Sequence, residues 1–298
     1  MNKRDFLTIR DFTASEITAL LDRASDFKSG KAAGDKPLLG RSIGMLFYKT
    51  STRTRVSFEV GIYQLGGQPL YLTQGESQLS RGEPIADTAR VFSRYLGGIV
   101  IRTFEHKIAA EFAAYSSVPV INGLTDTHHP CQILADLMTI KEKKGRLKGI
   151  KIAYIGDGNN VANSLIEGAA QMDMELNIAS PEGYAPAPDI LDTQATRITV
   201  VQDPKDAATG ADVLYTDVWI SMGDKDDIAD KQQKFAGYQI NDNLLSYAKP
   251  DCIVLHCLPA HRGQEITASV IEGPQSAVFD QAENRLHTQK AVLEMLIE

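Results

Sequence analysis

The chain has 298 residues, 43% of them apolar and 23% charged, which is the composition of a soluble globular protein long enough for two α/β domains. A formal net charge of −7 excludes a general nucleic-acid surface, so any anion site must be a local basic pocket in an acidic protein. Three cysteines, Cys131, Cys252 and Cys257, suit a reducing compartment; the N-terminus lacks a signal-peptide core and no apolar run approaches transmembrane length, so a cytoplasmic chain without a membrane partner is expected.

Thr13-Ala14-Ser15-Glu16 offers a capped start for a first helix through about Lys28, followed by a polar loop from Gly30 to Gly40. Ile43 to Tyr48 reads as a buried strand, and from Thr52 to about Leu65 the spacing predicts a helix with Val56, Val60 and Tyr63 on one face. The junction is Ser51-Thr52-Arg53-Thr54-Arg55. A helix start exposes unpaired N–H groups at the positive end of the macrodipole, and here three hydroxyls and two guanidiniums surround it. Two readings are open: an N-cap followed by solvated charges, or an anion site, most simply for phosphate.

Pro69 to Leu72 reads as a second strand, 73–83 as a long polar loop, and Pro84 as the first residue of a helix presenting Ile85, Ala89, Phe92 and Leu96. A third strand, Ile99 to Ile101, ends at Arg102. A short helix from His106 to Tyr115 and a fourth strand from Val118 to Ile121 follow. The turn His128-His129 leads into a long helix from Pro130 to about Lys144, and the charged run from Glu142 to Lys148 marks the domain boundary.

The second half restarts the alternation with Ile150 to Ile155, a Gly156-Asp157-Gly158-Asn159-Asn160 turn and a helix through Met172. Strands near 176–179, 198–201, 213–216 and 252–255 follow, and a last helix runs from Glu283 to Glu298. We therefore expect an α/β protein of two doubly wound domains, 1–144 and 145–298, each a parallel sheet flanked by helices, with the last helix packed back on the first domain. Ser51–Arg55, Arg102, His129–Gln132, Gly156–Asn160, Asp217–Gly223 and His256–Pro259 all fall at carboxyl ends of strands, where open sheets bind ligands. Six such segments predict an active site in a cleft between the domains.

Gly156 and Gly158 match two glycines of the dinucleotide fingerprint, but Val161 replaces the third, and Ala179-Ser180-Pro181 replaces the ribose-binding acid. A nicotinamide cofactor is therefore not expected. Asn160 either caps the helix or, if Asn159 does so, faces a ligand. His256-Cys257-Leu258-Pro259 lies near Cys252 and His261, yet no second paired-ligand motif accompanies it, so no metal is expected. Asp217, just past an apolar strand, is the acid placed to receive an ammonium group. The charged stretch from Asp224 to Lys234 suits either a lid hinged on Gly223 or an exposed loop.

In this order, STRTR, HPCQ, DVWISMG and HCLP resemble the aspartate/ornithine carbamoyltransferase family over the span from Ser51 to Arg285. STRTR and HPCQ resemble the half of the family that handles carbamoyl phosphate, and DVWISMG and HCLP resemble its ornithine branch. The resemblance implies transfer of a carbamoyl group from carbamoyl phosphate to the δ-amine of L-ornithine, giving L-citrulline and phosphate, without metal or organic cofactor. Related amines, putrescine or an N-acylated ornithine, are the alternative acceptors. It implies phosphate contacts from Ser51, Thr52, Arg53 and Thr54, and carbonyl or amide contacts from Arg102, His129 and Gln132. Asn160, Asp217, Ser221 and Met222 match contacts to the amino-acid end of ornithine, Cys257 and Leu258 contacts near its reacting side chain, and Arg285 an active-site residue. Gln78 matches a position that reaches a neighbouring subunit's site, implying a homotrimer, although SQLSRGEP otherwise keeps only Gly82 and Glu83 of the family pattern. The catalytic set implied is Arg53, Arg102, His129 and Cys257.

Overall fold

Five of the six residues of β1 (Ser42–Phe47) are buried, as a strand covered on both faces by helices requires. In the computed structural model, which describes residues 3–76, 78–192, 197–220 and 228–297, the chain divides into two compact units. One comprises Met1–Ala135 with Glu283–Glu298, and the other Asp136–Ala282.

The first unit opens with α1 (Ala14–Lys28), started by a capping box in which the Thr13 side chain accepts from the Glu16 N–H and the Glu16 carboxylate accepts from the Thr13 N–H. Next come β1, α2 (Thr52–Gln64), β2 (Gln68–Thr73), two 3₁₀ turns (Gln74–Glu76 and Gln78–Arg81), α3 (Ile85–Tyr95), β3 (Gly98–Arg102), α4 (His106–Tyr115), β4 (Val120–Leu124) and the start of α5 (Pro130–Lys144). The parallel sheet has the order β2-β1-β3-β4, and Leu46, Ile99, Ile101, Phe112 and Val120 form part of its core.

Val56, Val60 and Tyr63 share one face of α2, and it is the outward one. They are 50%, 36% and 76% exposed, while Thr54, Phe58, Gly61 and Ile62 are buried. Both sets satisfy a 3.6-residue period but lie on opposite sides of the helix. Periodicity alone does not say which stripe meets the sheet.

The second unit continues α5 into β5 (Lys151–Ile155), α6 (Asn160–Gln171), β6 (Glu175–Ala179), α7 (Pro188–Asp192), β7 (Ile198–Val201), α8 (Pro204–Ala208), β8 (Val213–Thr216), α9 (Ile228–Phe235), α10 (Asp242–Leu245), β9 (Ile253–His256), α11 (Ala268–Ile271) and the first turn of α12 (Val278–Leu296). Its parallel sheet has the order β7-β6-β5-β8-β9. The last helix begins five residues before Glu283: Gln281 N–H already donates to the Ala277 carbonyl at 2.8 Å. No helix among the described residues is long and apolar enough to cross a membrane.

Each sheet order contains one reversal, between β1 and β3 in the first unit and between β5 and β8 in the second. At such a reversal the connections on either side run to opposite faces and leave a crevice beyond the strand ends. The segments after β1 and β3 are Ser51–Arg55 and Arg102–Thr103. Those after β5 and β8 are Gly156–Asn160 and Asp217. Each unit thus carries its chemically loaded residues where its topology opens a site.

Candidate active site

In the first unit, Ser51 caps α2, its hydroxyl accepting from the Thr54 N–H at 3.2 Å. That leaves other first-turn N–H groups of α2 directed outward. Thr52 and Arg53 are exposed and Ser51 is half-buried, whereas Thr54 is only 2% exposed. The Thr54 hydroxyl accepts from Arg102 Nη1 at 3.4 Å and from Arg285 Nη2 at 2.9 Å. A hydroxyl has two acceptor lone pairs and one proton, so with both lone pairs engaged by guanidiniums its O–H is left to donate elsewhere. Arg285, 5% exposed, also donates to Gln132 Oε1 at 2.6 Å. Thr54, Arg102, Gln132 and Arg285 therefore form one buried cluster from α2, β3, α5 and α12.

The turn before α5 delivers His129 to the same charges. Thr125 clamps it: the Thr125 N–H donates to the His128 carbonyl at 2.9 Å, and the Thr125 Oγ1 accepts from the His128 N–H at 3.2 Å. His129 is buried, and desolvation, then the positive charges of Arg285 and Arg102, hold its pKa well below the usual histidine value. A neutral imidazole beside two guanidiniums remains a hydrogen-bond donor without adding a third repelling charge. Cys131, two residues on, is buried and its thiol is pushed up to about 12, mainly by burial, so it is inert.

Arg55 is turned away from this cluster: it pairs with Glu59 at 3.0 Å and its guanidinium lies 3.7 Å from the centre of the Tyr71 ring. Of the two arginines in STRTR, Arg55 alone makes such contacts among the described residues. Lys49, buried just before the segment, is bonded to Asp126 and lies over the Phe104 ring at 4.8 Å.

In the second unit, Asn159 is the cap of α6, accepting from the N–H groups of Val161 at 2.9 Å and Ala162 at 3.2 Å. Asn160, half-buried, is thereby relieved of capping. Asn159 Nδ2 also donates to Asp217 Oδ2 at 2.8 Å, and Asp217 Oδ1 accepts from the Val218 N–H and from Cys257 Sγ, each at 2.8 Å. Asp217, buried, thus joins the ends of β5, β8 and β9. The Tyr154 hydroxyl donates to Asn159 Oδ1 at 3.3 Å. Burial foremost, with the nearby Asp217 and Cys257, raises its pKa well above 10, so it stays protonated.

Residues 4–142 match the carbamoyl-P binding domain of the aspartate/ornithine carbamoyltransferases, and residues 148–296 match the Asp/Orn binding domain. The chain belongs to this family. The ornithine carbamoyltransferase of Carboxydothermus hydrogenoformans is 54% identical and that of Acidothermus cellulolyticus 55%, each covering 99% of this chain and 97% of the relative. The solved ornithine carbamoyltransferase of Pyrococcus furiosus superposes with a TM-score of 0.94 at 48% identity, covering 99% of this chain and 97% of that one. For Thermus thermophilus the values are 0.92 and 42%, with 99% of both chains covered.

The family motif HCLP is held by a layer that sequence reasoning missed. His256 Nδ1 accepts from the Leu258 N–H at 2.9 Å, and His256 Nε2 donates to Glu265 at 3.1 Å; both residues are buried. This relay holds Leu258 at φ 58, a left-handed conformation that costs a non-glycine residue about 1–3 kcal/mol and concentrates at functional sites. Ligand atoms of Asp217, His256 and Cys257 lie within 4.8 Å of one another. Since both ring nitrogens of His256 are already committed, two donors remain in this group among the described residues, too few for a zinc-type site.

Asp157 Oδ2 receives Lys231 Nζ at 2.8 Å. Lys231, only 3% exposed, lies in the charged stretch expected to be lid or exposed loop, and its pairing ties α9 to the β5–α6 turn. Packing requires glycine at 158, because a Cβ there would meet Pro186 N at 2.3 Å. Ser221 and Met222 lie outside the described residues, and Gln78 is exposed in its 3₁₀ turn.

The depressed pKa of His129 has a measurable consequence. Between the ordinary histidine value of about 6.5 and the lower folded value, the unfolded chain binds a proton that the folded chain does not. Stability is therefore lost as pH falls below about 6.5 and is unaffected by this group above it. Urea unfolding from pH 5 to 8 should show an acid-side loss that is smaller in His129→Gln; equal pH dependence in both proteins would contradict the assignment.

Proposed function

We propose that the chain transfers the carbamoyl group of carbamoyl phosphate to the δ-amine of L-ornithine, giving L-citrulline and phosphate. The observation that carries the reading is the cluster in which Arg102 and Arg285 both donate to Thr54, leaving its proton to point at a substrate oxygen. Negative charge builds on the carbonyl oxygen as the amine attacks, and Arg102, neutral His129 and the Thr54 hydroxyl are preorganised donors for it. Each such donor contributes about 3–4 kcal/mol in comparable sites. Ser51, Thr52, Arg53 and the start of α2 hold the phosphate, where a helix N-terminus and a guanidinium together stabilise the departing dianion. Gln132, fixed by Arg285, presents its amide to the carbamoyl nitrogen.

Ornithine's amino-acid end is received by Asn160 and Asp217 together with Ser221 and Met222, and Cys257 and Leu258 flank its side chain. The δ-amine, with a pKa near the lysine value of about 10.4, is mostly protonated in neutral water, so the acceptor half must favour its free base. Desolvation beside Cys257 and Leu258, which flank the side chain, acts in that direction. The phosphate leaving group takes the proton that the amine sheds, so no cofactor enters the balance.

The same reading includes a homotrimer in which Gln78 acts in a neighbouring copy's site. It is supported by the exposure of Gln78 and by the apolar stripe Val56, Val60 and Tyr63 on α2. Such a stripe on an otherwise charged surface marks an association face.

With carbamoyl phosphate fixed, citrulline should form from L-ornithine, and putrescine and N-acetylornithine should give little product; absence of citrulline would overturn the reading. Asp217→Asn should lower kcat/KM for ornithine by about a hundredfold or more while leaving KM for carbamoyl phosphate within about threefold. The trimer is tested by complementation. Arg53→Ala and Gln78→Ala should each be nearly inactive, and refolding them together should restore activity through sites combining an intact Arg53 with a neighbour's intact Gln78. Mixed assemblies no more active than their parents would place Gln78 outside the neighbour's site.

A further inference from the structure

A cavity of about 250 Å³ in the first unit is lined by Phe27, Lys36, Gln64, Leu65 and Lys290, together with Asp35 and the small side chains of the turn after α1. None of these residues belongs to the catalytic cluster. Phe27 and Leu65 give the cavity a buried apolar wall. Its polar side is unusual in charge. Lys290 is only 6% exposed, yet its ammonium bonds to a neutral acceptor, Gln64 Oε1, at 3.0 Å and lies 4.8 Å from the centre of the Phe27 ring. Lys36 donates to the backbone carbonyl of the same Gln64 at 2.6 Å.

Neither lysine has a carboxylate within ion-pair distance among the described residues. The acids nearby are engaged by Arg23, which bonds to Asp35 and to both oxygens of Glu294. A buried ammonium without a counter-charge is costly, and a second ammonium beside it raises the cost. Burial first, then Lys36, holds the Lys290 pKa below the ordinary lysine value. The arrangement is nevertheless specifically accommodated: a Cβ at Gly61 would approach Lys290 Cγ to 3.3 Å, so glycine lets the lysine stem lie along α2 and bring its head to Gln64 one turn later.

We propose that this cavity binds a small organic monocarboxylate, its oxyanion between Lys36 and Lys290 and its apolar body against Phe27 and Leu65. A monoanion matches the two ammoniums better than a dianion does, because Asp35 adds its own negative charge to the rim. The volume admits a compact molecule, below the usual range of drug-sized pockets. The site stands apart from the proposed carbamoyl transfer and does not depend on it.

The test is calorimetric titration of the full-length chain with benzoate, with benzyl alcohol as the uncharged counterpart and inorganic phosphate as the anion without an apolar body. Benzoate should bind with a Kd of about 1 mM, within reach of a nine-atom ligand. Binding should weaken about tenfold or more in Lys290→Met and about threefold in Lys36→Met, and should be unchanged in Arg53→Ala. Benzyl alcohol and phosphate should be much weaker at this site. Lys36 is exposed, so its variant remains informative if the buried replacement disturbs folding. Equal binding by wild type and both lysine variants, loss in Arg53→Ala, a match between benzyl alcohol and benzoate, or no saturation below roughly 50 mM would each overturn the proposal.

Discussion

The Thr54 hydroxyl is the point through which the first unit's site is organised. It sits at the first turn of α2, on the buried side of the helix, and takes hydrogen bonds from guanidiniums carried by β3 and α12. Two buried arginines so close repel each other and need acceptors. A backbone-anchored hydroxyl and the Gln132 carbonyl supply two of them, both neutral. Burial first, and then the positive charges of Arg285 and Arg102, suppress protonation of His129, so its imidazole is neutral. The proposed substrate polarisation and leaving-group stabilisation rest on this arrangement.

The second unit answers the same topological rule with opposite chemistry. Its crevice, between the ends of β5 and β8, gathers a carboxylate where the first gathers guanidiniums. Asp217 is held by an amide, a backbone N–H and a thiol, none of them a cation. Lys231 is matched instead to Asp157. One fold used twice thus carries guanidiniums at one set of strand ends and a carboxylate at the other, which is the basis of the proposed division between anion and ammonium.

Most strands and helices were legible because both sheets are parallel and buried, which leaves unbroken apolar runs separated by amphipathic helices. The site segments were legible for a related reason: polar clusters directly after such runs fall at strand ends. Three kinds of feature were not legible. The inward side of α2 was undetermined because its two apolar stripes have equal period, and only packing against the sheet selects Phe58 and Ile62. The Lys231–Asp157 pair and the Glu265–His256–Leu258 relay join residues 74 and 9 or fewer positions apart through tertiary structure, and charge patterns do not announce such partners. Arg55 looked equivalent to Arg53, yet a helical turn places it beside Glu59 and over Tyr71, away from the site.

The central claim is that the Thr54 hydroxyl acts as both acceptor for the arginines and donor to the substrate. The most direct measurement compares initial rates of Thr54→Ser and Thr54→Val across carbamoyl phosphate concentrations. The account predicts that serine, which keeps the hydroxyl, retains kcat/KM within about threefold, while the isosteric valine loses about a hundredfold or more, as expected for a donor to a developing oxyanion. A valine variant with wild-type kcat/KM would contradict it.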